Sequence, residues 1–181
     1  MSHLSHATQK AIVQRHIDNV NVDTRGHDKL ISHFENGYIH DEAMAPIIEH
    51  LSRERLERVL DSPHVGREIV TRAVSRQDKD INDIITSTPH LFKKVGSLGL
   101  QYLSSNPKHH AAILARDGKD ISWKTGNNIV DHLMHTDQKD PVHLSKVFHK
   151  LATSTFPSTA GRLLGQFKKH NLKVIPADQL K

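Results

Sequence analysis

Residues 140–151 read Asp-Pro-Val-His-Leu-Ser-Lys-Val-Phe-His-Lys-Leu, a pattern typical of an amphipathic α-helix. The apolar residues that recur every three or four positions are Leu144, Val147, Phe148 and Leu151. Asp140 and Pro141 mark the beginning of this helix, because the carboxylate accepts a free amide of the first turn and proline lacks the amide that would stay unpaired there. The pattern therefore predicts a helix that starts at Pro141.

The same combination of a small polar residue, a proline and an apolar stripe occurs three more times. It is present at Ser62-Pro63, Thr88-Pro89 and Asn106-Pro107. Strict alternation of apolar and polar residues is almost absent, so we predict an all-α protein of about ten short helices. They form a compact irregular bundle or a short α-solenoid-like stack. The similarity of these segments reflects either helix capping alone or a true repeat. A repeat would have a constant period, whereas the proline spacings are 26, 18 and 34 residues.

The chain of 181 residues is predicted to form one domain, residues 1–181, with a weak subdivision near 76–80. Isolated helices of this length are marginal in water, so packing has to stabilise them. Residues 117–128 are the best candidate for an exposed loop, since they are rich in polar residues and glycine.

Charge is divided unevenly along the sequence. Residues 1–90 carry 11 Lys and Arg against 14 Asp and Glu, whereas residues 91–181 carry 14 against 6. Most of the basic residues in the second half are lysines, which attract anions without the fixed geometry of a guanidinium. The residues predicted to bind an anion or a partner are Lys93, Lys94, Lys108, Lys119, Trp123, Lys124, Lys146, Lys150, Arg162, Lys168, Lys169 and Lys173.

Composition excludes several classes of site and protein. The chain has no cysteine, which excludes disulfides, thiolate metal sites and cysteine nucleophiles. No window has the roughly 18 consecutive apolar residues of a membrane span. The first six residues have neither the basic nor the apolar region of a secretory signal, so we expect a cytoplasmic location.

The leading functional hypothesis is a non-catalytic helical interaction or adaptor protein. Its basic second half would bind an acidic protein partner or an anionic surface. An alternative is a nucleic-acid-binding protein that contacts phosphates through the same lysines, with Trp123 stacking on a base. On the last helix, Arg162, Gln166 and Lys169 are expected to project away from Leu163 and Phe167. We predict no cofactor, and the sequence leaves the oligomeric state open.

A second alternative is a metal-dependent hydrolase. Asp131, His132 and His135 share a helix face and have the spacing of metal ligands, although the same spacing suits solvent-exposed residues. No local motif of a nucleophile, a phosphate-binding loop or a dinucleotide site is present, so an enzyme is less expected than a binding protein. Distant groups can still converge, as residues 40–42 might with Glu49 and His50.

Overall fold

The computed structural model describes residues 4–18 and 24–180. These residues form twelve α-helices and no strand, and 72% of the structure is helical, which confirms the predicted all-α class. The chain divides into two compact units, Met1–Gly99 and Leu100–Lys181. This boundary lies some twenty residues beyond the weak subdivision expected near 76–80, and the single domain stays a prediction.

Seven α-helices of the described residues lie in the first unit, and an eighth crosses the boundary. They are α1 (His6–Asp18), α2 (Thr24–Glu35), α3 (Asp41–Met44), α4 (Arg53–Leu60), α5 (Arg67–Ser75), α6 (Lys79–Ser87), α7 (Pro89–Phe92) and α8 (Ser97–Leu103). A 3₁₀-helix, Ala45–His50, follows α3 directly. The left-handed residue after α2 is Gly37, with φ of 75°, as expected for a glycine that ends a helix.

Apolar side chains at helical spacing form the core of the first unit. The largest fully buried ones include Leu30, Ile31, Phe34, Met44, Ile47, Ile48, Leu56, Leu60, Ile69, Ile81 and Ile85. Ion pairs join neighbouring helices outside this core: Arg55 donates to Asp28 at 2.9 Å, and Arg72 donates to Glu49 at 2.6 Å. Burial of the apolar faces supplies most of the stability, because exposed ion pairs contribute little.

The prediction that Ser62-Pro63 begins a helix is wrong. Residues 61–64 form turns, and α5 begins only at Arg67. The first amides of α5 are bonded instead by Asp41, a residue from another helix: its carboxylate accepts the amides of Gly66 at 2.5 Å and Glu68 at 2.9 Å. A cap distant in sequence therefore replaces the local cap that the serine suggested.

The other predicted helix starts are confirmed. Asp140 accepts the amide of Val142 at 2.9 Å, and Pro141 is the first residue of a helix. Asn106 accepts the amide of Lys108 at 3.1 Å, although this segment begins as a 3₁₀-helix rather than an α-helix. Pro89 begins α7 without a side-chain cap from the residue before it.

One local arrangement recurs in both units. A buried Ile or Val precedes the first residue of a helix by two positions at the beginning of α3, α5, α8 and α10, which starts at Trp123. These buried residues are Ile39, Val65, Val95 and Ile121. Their spacings of 26, 30 and 26 residues are more regular than those of the prolines. The helix starts therefore recur more evenly than the capping residues that suggested a repeat.

Four α-helices lie wholly in the second unit. The described ones are α9 (His110–Ala115), α10 (Trp123–His135), α11 (Pro141–Ala152) and α12 (Ser158–Lys169). The exposed loop expected at 117–128 is largely wrong, because this stretch contains a 3₁₀-helix, Gly118–Asp120, and the first six residues of α10. Apolar faces of α10, α11 and α12 form the core, where the ring of Phe148 contacts that of Phe167 at 6.3 Å. Among the helices of the described residues, none has both the length and the apolar character needed to cross a membrane.

Candidate binding surface

The polar side chains of α12 hold this helix against α10, contrary to the sequence prediction. Arg162 donates to the side chains of Asn127 and Asp131, each at 2.6 Å. Gln166 is only 3% exposed and donates to the carbonyl of Leu133 at 3.4 Å. The expectation that these residues project toward a partner is therefore wrong for Gln166, and the guanidinium of Arg162 already has two acceptors within the unit.

Lys169, the third residue of that predicted set, pairs with Asp137 just beyond α10. Nε2 of His170 is hydrogen-bonded to the same carboxylate oxygen, Oδ1 of Asp137, at 2.9 Å. Hydrogen bonding from Lys169, assisted by His170, lowers the pKa of Asp137 to about 2. The positive charge of Lys169 is thus partly neutralised inside the unit.

These contacts show that α10 and α12 run parallel. Along α10 the contacts advance from Gly126 to Asp137, while along α12 they advance from Thr159 to His170. A Cβ at Gly126 would lie 3.1 Å from the hydroxyl oxygen of Thr159, so glycine permits the close approach of the two helices. Consequently the N-terminal ends of both helices lie at the same end of the pair.

Two aromatic side chains are exposed at this end. Trp123, the first residue of α10, is 53% exposed, and Phe156, two residues before α12, is 42% exposed. Lys119 and Lys124 are exposed near Trp123 in sequence, and the hydroxyl of Thr155, next to Phe156, donates to the carbonyl of Lys119 at 3.2 Å. We call the group of Lys119, Trp123, Lys124 and Phe156 the aromatic-basic end.

Helix dipoles add to the positive potential of the aromatic-basic end. The N-terminus of each helix carries partial positive charge on its free amides, and α10 and α12 both begin here. Ser122 accepts one amide of α10 at 3.2 Å, whereas α12 has no side-chain cap. In α12 the amides of Thr159 and Ala160 bond the carbonyls of Phe156 and Pro157 at 3.2 and 3.0 Å, so the helix dipoles rather than a set of free amides favour an anion here.

The two carboxylates next to Lys119 in sequence are already bonded within the unit. Asp117 accepts the amide of Lys119 at 3.1 Å, and Asp120 accepts from the guanidinium of Arg116 at 2.7 Å. They reduce the net positive charge of the aromatic-basic end. Neither forms an ion pair with Lys119 or Lys124 within the part of the chain that the structure describes.

The remaining predicted lysines lie elsewhere. Lys150 is on the last turn of α11, which leads to the segment that contacts Gly118. Lys168 and Lys173 lie toward and beyond the opposite end of α12, and Lys108 and Lys146 are exposed on other elements of the second unit. Lys93 and Lys94 belong to the first unit, where the ammonium of Lys94 donates to the carbonyl of Val65.

Phe156 is not among the residues that the sequence predicts for this surface. It is the one apolar residue in the polar stretch 153–159, Thr-Ser-Thr-Phe-Pro-Ser-Thr, and belongs to no helical stripe. An isolated aromatic residue in such a segment is a usable signal for exposure, because no neighbouring apolar residue shares its burial.

The predicted metal ligands do not converge. Asp131 bonds Arg162, the ring of His132 lies 5.3 Å from that of His110, and His135 bonds the carbonyl of Asp131 at 2.7 Å. In residues 4–18 and 24–180, no three His, Asp or Glu side chains are grouped so that they could hold a metal ion.

A small cavity of about 220 Å³ in the second unit adjoins His132. His110 and Asn128 also line it. The ring of His110 bonds the carbonyl of Ser104 at 2.9 Å, and burial lowers its pKa. Burial therefore favours the neutral imidazole of His110, and the bond to Ser104 fixes the orientation of its ring.

The acid-base convergence considered for residues 40–42, Glu49 and His50 is only partial. Residues 40–42 line a cavity of about 640 Å³ in the first unit, but Glu49 is bonded to Arg72. Asp41 is bonded to the amides of α5 and so is held as a helix cap rather than as a general base.

Comparisons with known proteins give no further guide. No protein-family model matches the chain, and no curated protein or solved structure matches it significantly.

Proposed function

We propose that the second unit is a non-catalytic binding module that docks an acidic segment of a protein partner on the aromatic-basic end. The observation that carries the proposal is the exposure of Trp123 and Phe156 at the N-terminal ends of two parallel helices, flanked by Lys119 and Lys124. Exposed aromatic residues are the usual anchors of protein interfaces, and the lysines and helix ends favour carboxylates.

Charge complementarity supports an acidic partner. Residues 100–181 carry 12 Lys and Arg against six Asp and Glu, so the second unit as a whole attracts anions. The lysine ammonium is a point charge and suits flexible carboxylate side chains better than a rigid recognition site. The cytoplasmic location stays a prediction of the sequence.

A labelled peptide of glutamates with one central leucine tests this proposal, with polyglutamate of equal length as the comparison. We expect the leucine peptide to bind more tightly, because an apolar side chain can pack on Trp123 and Phe156. Reversing the charge of Lys119 and Lys124 together should weaken binding about tenfold, and so should Trp123→Ala. Fluorescence anisotropy at low and moderate salt measures both effects.

The matched control reverses the charge of Lys168 and Lys173, toward and beyond the other end of α12. This control changes net charge equally, so it should leave peptide affinity within about twofold if the binding site is local. Equal loss in both double variants would contradict the proposed site, since nonspecific attraction alone would then explain binding.

Nucleic-acid binding is the second candidate function, favoured by one observation: exposed Trp123 lies next to Lys124, a combination that can stack on a base and contact its phosphate. Comparing the affinity for a single-stranded oligonucleotide with that for a peptide of the same charge distinguishes nucleic-acid binding from binding of an acidic protein segment. Tighter binding of the oligonucleotide, lost in Trp123→Ala, would favour nucleic acid over the acidic protein segment.

A further inference from the structure

The cavity of about 640 Å³ in the first unit lies where the first residues of α1, α3 and α5 meet. Its ionisable lining includes His6, His40, Glu42, His64, Arg67 and Glu68. This lining holds both hydrogen-bond donors and acceptors, as small-molecule sites do when a few polar groups fix the orientation of a ligand. A group can bind a ligand only if it is not already bonded within the protein.

Arg67 is available. Five other arginines lie between residues 53 and 76, and each donates to a carboxylate or carbonyl oxygen: Arg53, Arg55, Arg58, Arg72 and Arg76. Arg67 donates to no acceptor among the residues that the structure describes, although carboxylates line the same cavity. Its guanidinium is thus an unused fork of donors, which fits the two oxygens of a carboxylate or phosphate.

A glycine lets the guanidinium of Arg67 approach the backbone. A Cβ at Gly96 would lie 2.5 Å from Nη2 and 2.7 Å from Nε of Arg67, closer than real side chains approach. The guanidinium therefore occupies the space that any other residue at position 96 would fill. Arg67 is an exposed residue, so its guanidinium is also accessible to a ligand from solvent.

His64 is positioned in the same way. A Cβ at Gly37 would lie 3.0 Å from Cε1 and 3.1 Å from Nε2 of His64, and this ring forms a T-shaped pair with that of Phe34, with 6.4 Å between centroids. A neutral imidazole still offers one N–H donor. Two donors of the cavity, Arg67 and His64, thus both lie against glycines.

The carboxylates of the cavity differ in the hydrogen bonds and ion pairs that they already make. Asp41 accepts the amides of Gly66 and Glu68, so these amides at the start of α5 are not open to a ligand. Glu42 lies 3.5 Å from His6. Glu68 makes no ion pair within the described part of the chain and is the acceptor left to bond a hydroxyl or ammonium group.

We propose that this cavity binds a small molecule through a carboxylate or phosphate group held by Arg67. His64 donates a further hydrogen bond to this oxyanion. Glu68 accepts a hydrogen bond from a hydroxyl or amino group elsewhere on the ligand. This site is separate from the aromatic-basic end, and its ligand is a small molecule rather than a protein segment.

NMR titration of the full chain tests the site with two probes, inorganic phosphate and succinate, against sodium chloride at equal ionic strength. We expect the Arg67 Nε–H and His64 ring signals to shift with at least one probe. Arg67→Gln should weaken binding about tenfold or more, because a hydrogen bond to a charged group is lost. The matched control, Arg72→Gln, removes a nearby arginine on the same helix and should leave the affinity unchanged.

Two further variants separate an oxyanion site from general charge attraction. Glu68→Gln should strengthen binding of both probes, since it removes a negative charge beside the bound oxyanion. Gly96→Ala should weaken binding without changing charge, because the new methyl group displaces the guanidinium. The proposal is overturned if neither probe shifts these signals, if Arg67→Gln and Arg72→Gln bind equally, or if Glu68→Gln weakens binding.

Discussion

The carboxylate of Asp41 occupies the space that a side chain at Gly66 would need. A Cβ at position 66 would lie 2.5 Å from Cγ of Asp41, and the Gly66 amide bonds that carboxylate at 2.5 Å. Gly66 has φ of −118°, a conformation that any residue adopts, so glycine is required here by the close approach of Asp41 alone. The cap that Asp41 provides therefore depends on the absence of a side chain at position 66.

A double-mutant cycle at these positions should show strong coupling. We expect Asp41→Ala to lower the free energy of unfolding by about 1 to 2 kcal/mol, because α5 loses its cap. Gly66→Ala should also destabilise, since the methyl group clashes with the carboxylate. In the Asp41→Ala background this second change should cost less, because the clash is absent. Urea denaturation monitored by circular dichroism measures all four proteins.

Asp61→Ala is the control for this cycle, because its exposed side chain has no hydrogen bond or ion pair in the described residues. It should change stability by no more than about 0.5 kcal/mol. Additive effects of Asp41→Ala and Gly66→Ala would contradict the close approach that couples them.

The helix pattern could be predicted from sequence, but a cap from another helix could not. Apolar stripes and local caps such as Asp140 depend on neighbours within a few residues, which the sequence displays directly. Ser62-Pro63 has the same local pattern, yet α5 starts four residues later because Asp41 bonds its amides. The tertiary contact outweighed the local capping preference.

Site residues were harder to predict for the same reason. Lys119, Trp123 and Lys124 lie within six residues of one another along the chain, so the sequence alone indicates that they are neighbours, and their role in binding stays a prediction. It could not show that Gln166 would be buried, because its polarity suggests a solvent-exposed position. Only the packing of α12 on α10 supplies the carbonyls to which Gln166 donates.

Acid stability should depend in part on Asp137. Its pKa is lowered from 3.8 to about 2 in the folded protein, so the unfolded chain binds the proton more readily. The stabilisation is complete above the unfolded pKa and is lost as the pH falls from about 4 to about 2. Asp137→Asn should therefore lose less stability than the parent over this range.

Asparagine is suited to this test because Asp137 has φ of 50°, a conformation that asparagine tolerates. Urea midpoints measured across the acid range give the pH dependence for each protein. Asp178→Asn is the control, since Asp178 makes no ion pair with described residues. If Asp137→Asn and the parent lose stability in parallel, Asp137 is not the titrating group.

Arg162 should affect stability more than binding. Arg162→Ala removes both hydrogen bonds that join α12 to Asn127 and Asp131. It also leaves the buried amide oxygen of Asn127 without this donor, which costs about 1 to 3 kcal/mol. We expect urea denaturation to show this loss, whereas Lys168→Ala on the exposed side of the same helix should change stability by less than about 0.5 kcal/mol.

The peptide titration then separates a structural role from a binding role for Arg162. Under native conditions Arg162→Ala should bind the acidic peptide within about twofold of the parent, because its guanidinium is already bonded inside the unit. A large loss of affinity with unchanged stability would instead place Arg162 in the binding surface, as the sequence alone suggested. The two measurements together decide between these roles because each predicts a change in a different quantity.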